Sequence, residues 1–266
     1  MMAIKQLLRF GWEQALSCLF PVVIFASLAL TQIIPLPILP RYDWLLLICL
    51  FMQWAMVKSG LETRDELKVI TLFHLIGLAL ELFKVHMGSW SYPGEGYSKL
   101  FGVPLYSGFM YASVASYLCQ AWRRLKVELI QWPPFLSVVL LAAAIYLNFF
   151  THHFWIDIRW WLSGLVIIVF WKTWVVYVVG GTYYRMPLAL SFVLIGFFIW
   201  IAENIATFFG AWEYPNQADA WSLVHLGKVS SWLLLVIVSF LIVATLKRVK
   251  GKGPVRAGTK TLTNGY

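Results

Sequence analysis

The sequence predicts an all-α, polytopic membrane helix bundle of about eight transmembrane helices, built as two parallel four-helix repeats with both termini on the cytoplasmic side. Three observations lead there: a composition poor in charge, a series of apolar blocks of bilayer-crossing length, and a motif that recurs at a fixed offset. Of the 266 residues, 61% are hydrophobic and 12% charged, against roughly 25% charged in an average soluble domain. So little polar surface cannot solvate a globule, and the bilayer is the solvent that fits.

The apolar blocks fall at 14–34, 42–58, 68–87, 104–122, 134–151, 160–179, 187–207 and 222–246. Each has the length a helix needs to cross about 30 Å of hydrocarbon at about 1.5 Å per residue. The alternating segments of about ten residues that mark a lipid-facing barrel are absent from the sequence. The first block follows Lys5 and Arg9 as a signal peptide would, but it exceeds an h-region and lacks a small-x-small cleavage site, so a retained first helix is expected. Cys18, Cys49 and Cys119 all lie in apolar blocks and are odd in number, which argues for packing residues rather than a disulfide framework.

Orientation follows from the basic residues. With the N-terminus inside, fifteen of the 21 Lys and Arg fall on the cytoplasmic side, Arg41, Lys99 and Arg159 outside, and Lys84, Lys172 and Lys228 in or near the membrane. That asymmetry is the positive-inside pattern. The net charge of +9 is thereby assigned to topology and to contact with anionic membrane lipids, the expected partners, and nucleic acid is not required. Lys172, between Trp171 and Trp174, is expected to snorkel from the sixth span.

The repeat carries the strongest functional signal. Glu81-x6-Gly88-x-Trp90-x-Tyr92-Pro93 recurs as Glu203-x6-Gly210-x-Trp212-x-Tyr214-Pro215, an offset of 122 residues that lays spans 1–4 on spans 5–8 without a gap. The predicted domains are a first repeat over 1–122, a second over 123–246, and a flexible basic cytoplasmic tail over 247–266. An even number of spans per half leaves both halves in one orientation, as in parallel-repeat transporters.

Each motif sets a glutamate two helical turns, about 10 Å, before a glycine able to end a helix in the left-handed conformation. Glu81 and Glu203 are then ionisable groups at membrane depth, where insertion costs about 2.5–3.5 kcal/mol and function is the default reading. They are the candidate catalytic residues. Trp90, Tyr92, Trp212 and Tyr214 follow as interfacial belt residues or substrate contacts. His74, Gly77, Glu81, Lys84 and Gly88 share one helix face, on which Lys84 is spaced to pair with Glu81. Glu203 has no basic residue three or four positions away, so Asn204, His225 and Lys228 are its candidate neighbours. These flanking residues, with His74 and Lys84, complete the candidate substrate-binding set. His152, His153 and Asp157 form a sparse metal-like cluster without third and fourth ligands at diagnostic spacing, so no metal or cofactor is expected. Phosphate-binding glycine loops, nucleophile elbows and paired-cysteine metal motifs are missing from the sequence.

Across its length the chain resembles the uncharacterised bacterial YoaT-like family of multi-span proteins, which implies a membrane location without an activity. The stretch Glu203-Asn204-Ile205-Ala206-Thr207-Phe208-Phe209-Gly210-Ala211-Trp212-Glu213-Tyr214 is similar to the acid-x2-Ala-x3-Gly-x-Trp-x-aromatic motif of the lycopene cyclase and carotenoid hydratase membrane families. That resemblance implies carboxylates that protonate an isoprenoid double bond. The first copy has Lys84 where the motif has alanine, and its Gly102-Val103-Pro104-Leu105 resembles the next stretch of the family pattern. There the cyclases continue with two acidic residues, and this chain with Tyr106 and Ser107.

Two functional expectations result. One is chemistry on, or binding of, an isoprenoid or other long apolar lipid, with Glu81 and Glu203 as acid and base. The other is a secondary transporter using the same glutamates, whose signature would be helices broken near the midplane; Pro21 and Gly164 are the available interruptions. A non-catalytic membrane scaffold is the plainest alternative.

Overall fold

A helix lies in every one of the eight predicted apolar segments. The structure, a computed structural model, describes residues 2–34 and 36–250. Its helices are α1 (Met2–Ser17), α2 (Leu19–Ile33), α3 (Arg41–Lys58), α4 (Arg64–His86), α5 (Ser107–Arg124), α6 (Phe135–Thr151), α7 (Arg159–Val169), α8 (Leu188–Phe208) and α9 (Lys228–Lys250). α4 and α8 are each long and apolar enough to cross a membrane, and the bent pair α1–α2 makes a third if it counts as one span.

Three departures from the prediction have local causes. First, the chain is mostly helical but not all-α. Strands β1 (Lys99–Leu100) and β2 (Val103–Pro104) pair in a small hairpin, and β3 (Glu128–Ile130), β4 (Trp174–Val179) and β5 (Thr182–Pro187) form an antiparallel sheet in the order β3-β4-β5. The sixth predicted span, 160–179, is therefore split: α7 stops after 11 residues and the chain continues as β4. At about 1.5 Å per residue α7 reaches only about 16 Å. The cause is legible in Trp174-Val-Val-Tyr-Val-Val-Gly-Gly-Thr-Tyr-Tyr, a β-branched and aromatic run closed by Gly180 and Gly181, both at positive φ (59° and 84°) as a two-residue hairpin turn demands. Lys172 accordingly lies in an exposed turn, not in a helix.

Second, the N-terminal helix starts earlier than expected and breaks at Cys18, where α1 and α2 meet at 70°. Pro21 falls in the first turn of α2, where a missing N–H costs nothing. α1 fixes one side to the bundle through Glu13 with Arg124 (3.5 Å) and Gln14 with the Tyr117 hydroxyl (2.9 Å). Its other side exposes Ile4, Leu7, Leu8 and Trp12, an amphipathic stripe. Third, α9 continues to Lys250, into the stretch predicted as tail; the remainder, 251–266, lies outside the described residues.

The bundle is assembled from helix pairs. α4 packs on α5, α8 on α9, α2 on α3 and α6 on α7, while α5 and α9 meet one another and in turn contact α2 and α6. α5 is the most enclosed element, because Ala112, Ala115, Ser116 and Cys119 let its neighbours approach closely and are almost completely buried. The three cysteines are unpaired.

α4 and α8 terminate alike. α4 begins with a capping box, Thr63 and Glu66 satisfying each other's backbone N–H. It ends with Gly88 at φ 68° and Ser89 N–H bonded to the Lys84 carbonyl; α8 ends with Gly210 at φ 62° and Ala211 N–H bonded to the Ala206 carbonyl. Both are Schellman ends, as the repeated glycine predicts. Immediately beyond, Ser91 and Glu213, residues 122 apart, exchange both backbone hydrogen bonds at 3.0 Å. Arg41 donates to the carbonyls of Leu28 (3.0 Å), Phe209 and Gly210 (2.9 Å), closing the ends of α2 and α8 together.

Close backbone approach of α8 to α9 depends on Gly196, where a Cβ would stand 3.0 Å from the Leu233 nitrogen. Gly196→Leu is expected to destabilise the protein by about 1–3 kcal/mol, read as a lower unfolding midpoint in denaturing-detergent titration.

Candidate functional site: two buried glutamates and a cationic cavity

Glu81 and Glu203 are each 3% exposed, deep in α4 and α8. A carboxylate removed from water needs donors for its oxygens. Glu81 has three: Trp90 Nε1 and the Tyr92 hydroxyl donate to Oε2 and the Tyr111 hydroxyl to Oε1, all at 2.7 Å. The first two come from the motif itself. After the Schellman turn the chain runs back extended, so residues 90 and 92 project on the same side while Ser91 pairs with Glu213. The third comes from α5, because Gly77 leaves room for the Tyr111 ring; a Cβ there would overlap Tyr111 Cγ.

Glu203 is satisfied differently. The Tyr214 hydroxyl donates to Oε1, as the motif position dictates, but the indole donor to Oε2 is Trp232 of α9 at 2.7 Å rather than Trp212. Trp212 is buried in the core. Trp90, half-buried, meets Tyr214 edge-on with ring centroids 5.9 Å apart. Three of the four motif aromatics are therefore interior, and two of those three donate to the glutamates, an arrangement different from an interfacial belt.

Glu203 lines a cavity of about 80 Å³ with Trp90, Tyr111, Tyr214 and Trp232. Glu81 is not among the described lining residues; Trp90 stands in that wall and holds Glu81 by its indole. Lys84, Arg159 and Lys228 supply cations to the same lining. Lys84 does not pair with Glu81 as the sequence spacing predicts. Its ammonium is turned to the Nε2 atoms of His152 (3.2 Å) and His153 (2.9 Å). His152 Nδ1 lies 2.8 Å from the Asn148 carbonyl, which assigns the ring proton to Nδ1 and leaves Nε2 to accept from Lys84. Lys228 sits over the faces of Tyr214 (4.5 Å) and Trp90 (5.3 Å).

The remaining predicted residues hold structure. Asn204 donates to the Trp200 carbonyl and accepts from Val224 N–H, fixing the loop before α9. His74 packs against Phe109 at 4.4 Å and touches Gly108, away from the cavity lining. His225 is exposed and its ring accepts from Gly227 N–H, so the predicted approach of His225 to Glu203 is not made, although Lys228 does reach the cavity. Tyr106, which replaces the first acid of the cyclase pattern, is fully buried and donates to the Ala211 carbonyl at 2.8 Å.

Sequence reasoning missed Tyr111, Trp232 and Arg159. Gly77 was a visible signal for the first, as a close-approach residue one turn from Glu81; the other two enter from helices with no motif of their own. It also missed a second polar cluster at the opposite ends of α4 and α9. There Glu62 accepts from Gln53 and Ser116, and Glu66 pairs with Lys247 (2.6 Å) and Arg123 (3.4 Å).

Fold and site together define a mostly helical protein whose apolar helices are consistent with membrane association and enclose two buried glutamates. The chain belongs to the family described as "Protein of unknown function (DUF817)", whose model matches residues 6–240. It is 85% identical over 257 residues, 97% of each chain, to the Bacillus subtilis (strain 168) protein described as "Uncharacterized protein YoaT". No solved structure matches it.

Two outcomes follow from this geometry. Tyr111→Phe, which removes one donor to Glu81, is expected to cost roughly 0.5–1.5 kcal/mol; Gly77→Ala, which drives a methyl into the ring, about 1–3 kcal/mol, both read by thermal unfolding in detergent. The second outcome concerns His153, in the loop between α6 and α7. Burial and the neighbouring Lys84, His152 and Lys228 charges push its pKa down from 6.5 to about 4. Because the folded value lies below the unfolded one, the neutral ring's contribution to stability is complete above about pH 6.5 and is lost as pH falls toward 4. Melting temperatures measured across that window should decline, and His153→Gln should flatten part of the decline.

Proposed function

We propose that this chain is a multi-pass protein of the bacterial cell membrane in which α2–α9 form two parallel four-helix repeats, with both termini cytoplasmic. In this reading Glu203 is the working carboxylate of a membrane-embedded site that binds an amphiphilic lipid and exchanges a proton with it. The observation that carries the reading is the position of Glu203: buried, yet facing a cavity beside Lys228. Glu81, sealed behind Trp90 with three donors, serves as a positioning residue rather than as a second acid.

Several features support the membrane placement. The helices expose Phe51, Trp54, Leu75, Leu140, Leu147 and Phe198, an outward apolar surface that water does not tolerate on this scale. Open sheet edges do not occur in hydrocarbon, so β3–β5 belongs at the cytoplasmic interface, with Arg9 on α1, Arg124 at the end of α5, Lys126 in the turn before β3 and Arg185 on β5. There α1 lies along the leaflet with Ile4, Leu7, Leu8 and Trp12 toward lipid. The repeat is supported by the matched pairings of α2–α3 with α6–α7 and of α4–α5 with α8–α9, and by the meeting of Ser91 with its counterpart Glu213.

The cavity is too small for an isoprenoid chain, so only the polar head of a lipid enters it and the apolar body stays in the bilayer. Transport is the second reading, in which Glu203 and Lys228, facing one cavity, form the substrate or proton site. The test is a lipid profile, by mass spectrometry, of cells lacking the protein, expressing it, or expressing Glu203→Gln. A species produced only by the wild type, lost completely in Glu203→Gln and reduced in Glu81→Gln, is the expected result. Identical profiles in all strains, with substrate flux dependent on Glu203, would replace it with transport.

A further inference from the structure

The lining of the cavity has more hydrogen-bond donors and more positive charge than its own acceptors satisfy. Lys84 enters from α4, Arg159 from the first residue of α7 and Lys228 from the first residue of α9. Against these three cations the lining offers one carboxylate, Glu203, and both of its oxygens are already engaged, by Tyr214 and Trp232. Arg159 is neutralised by Asp157 and also donates to Ser231 Oγ at 3.1 Å. Among the described residues neither lysine makes a contact ion pair, and the Glu203 carboxyl is the nearest opposite charge felt by Lys228.

An ammonium has three donors and no acceptor. Lys84 directs two toward the Nε2 atoms of His152 and His153, and one remains. Lys228 has aromatic faces beneath it, and among the described residues no hydrogen bond occupies its ammonium. Like charges held beside one another out of water are costly without a counter-charge. The position of His152, fixed by Asn148, keeps Lys84 pointed at the cavity instead of letting it withdraw along α4.

We propose that this cavity binds a small oxyanion, a phosphate or carboxylate group, gripped by Lys84 and Lys228 with the Arg159 guanidinium at its edge. The inference deepens the lipid-site reading by naming the head that enters, and it rests on that reading only for the source of the anion. A cavity of about 80 Å³ admits a group of a few heavy atoms, and its cationic wall selects negative charge. Trp90 and Tyr214, under Lys228, complete an apolar rim on which the first carbons of an amphiphile rest.

The experiment uses the full-length protein in nanodiscs of phosphatidylcholine, with inorganic phosphate added, and in parallel nanodiscs containing one-fifth phosphatidic acid. Expected is an upward shift in melting temperature with phosphate, or selective retention of phosphatidic acid in native mass spectrometry. The first outcome identifies a free anion as ligand, the second a lipid head. Lys84→Gln/Lys228→Gln should weaken either effect at least tenfold, Lys84→Arg/Lys228→Arg should restore most of it as a check on folding, and Lys172→Gln, an exposed control, should leave it unchanged. Absence of both effects in the wild type, or their persistence in a folded glutamine double variant, overturns the proposal. Glu203→Gln separates the two readings: it removes the proton-exchanging group and a negative charge, so anion binding is retained or strengthened while lipid modification is lost.

Discussion

The rest of this structure depends on keeping two carboxyl groups in a place without water. A glutamate in the middle of an apolar helix is tolerated only when its oxygens find donors, and the surrounding architecture supplies them. Gly88 and Gly210 end their helices so that the chain doubles back. The extended segment that follows carries Trp90 and Tyr92 past Glu81, and Tyr214 past Glu203, on one side. In the first copy the single residue between the aromatics is therefore a requirement of strand periodicity, which puts Trp90 and Tyr92 on a common face.

The two motif copies then diverge. Around Glu81 the shell is complete: three neutral donors, two from its own motif and one from α5. Around Glu203 the motif tryptophan is withdrawn into the core, α9 contributes Trp232 in its stead, and a cavity opens beside the carboxylate. Lys228 occupies the position that the repeat equates with Tyr106, a residue locked onto a backbone carbonyl. One copy is thus closed and the other open, and the difference lies in residues outside the motif.

Much of this was legible in the sequence, for identifiable reasons. Helix positions followed from apolar block lengths, the Schellman ends from Gly88 and Gly210, and the depth of the glutamates from their distance to those glycines. Partners were not legible, because hydrogen-bond donors such as Tyr111 and Trp232 come from distant segments that leave no local spacing. The pairing of Lys84 with Glu81 failed for a related reason: spacing permits an i,i+3 contact, but Glu81 was already satisfied, and two histidines 68 and 69 residues away offered acceptors. The β4–β5 hairpin was hidden for a different one. Its Val- and Tyr-rich strands read as membrane-crossing hydropathy, and the Gly180-Gly181 turn that contradicts a helix is only two residues long.

Arg41 gives the assembly a mechanical asymmetry. One guanidinium holds the Leu28 carbonyl in the C-terminal half of α2 and the Phe209 and Gly210 carbonyls that close α8, while Ser91–Glu213 and Tyr106–Ala211 stitch the same end of the bundle. The C-terminal ends of α4 and α8 are therefore fastened to one another and to their neighbours at this end. At the opposite end α9 is tied to α4 through the Glu66–Lys247 ion pair, whose carboxylate is buried and so is shielded from salt. The two ends of the bundle are thus closed by different chemistry, hydrogen bonds to backbone carbonyls at one and a buried carboxylate shared by Lys247 and Arg123 at the other.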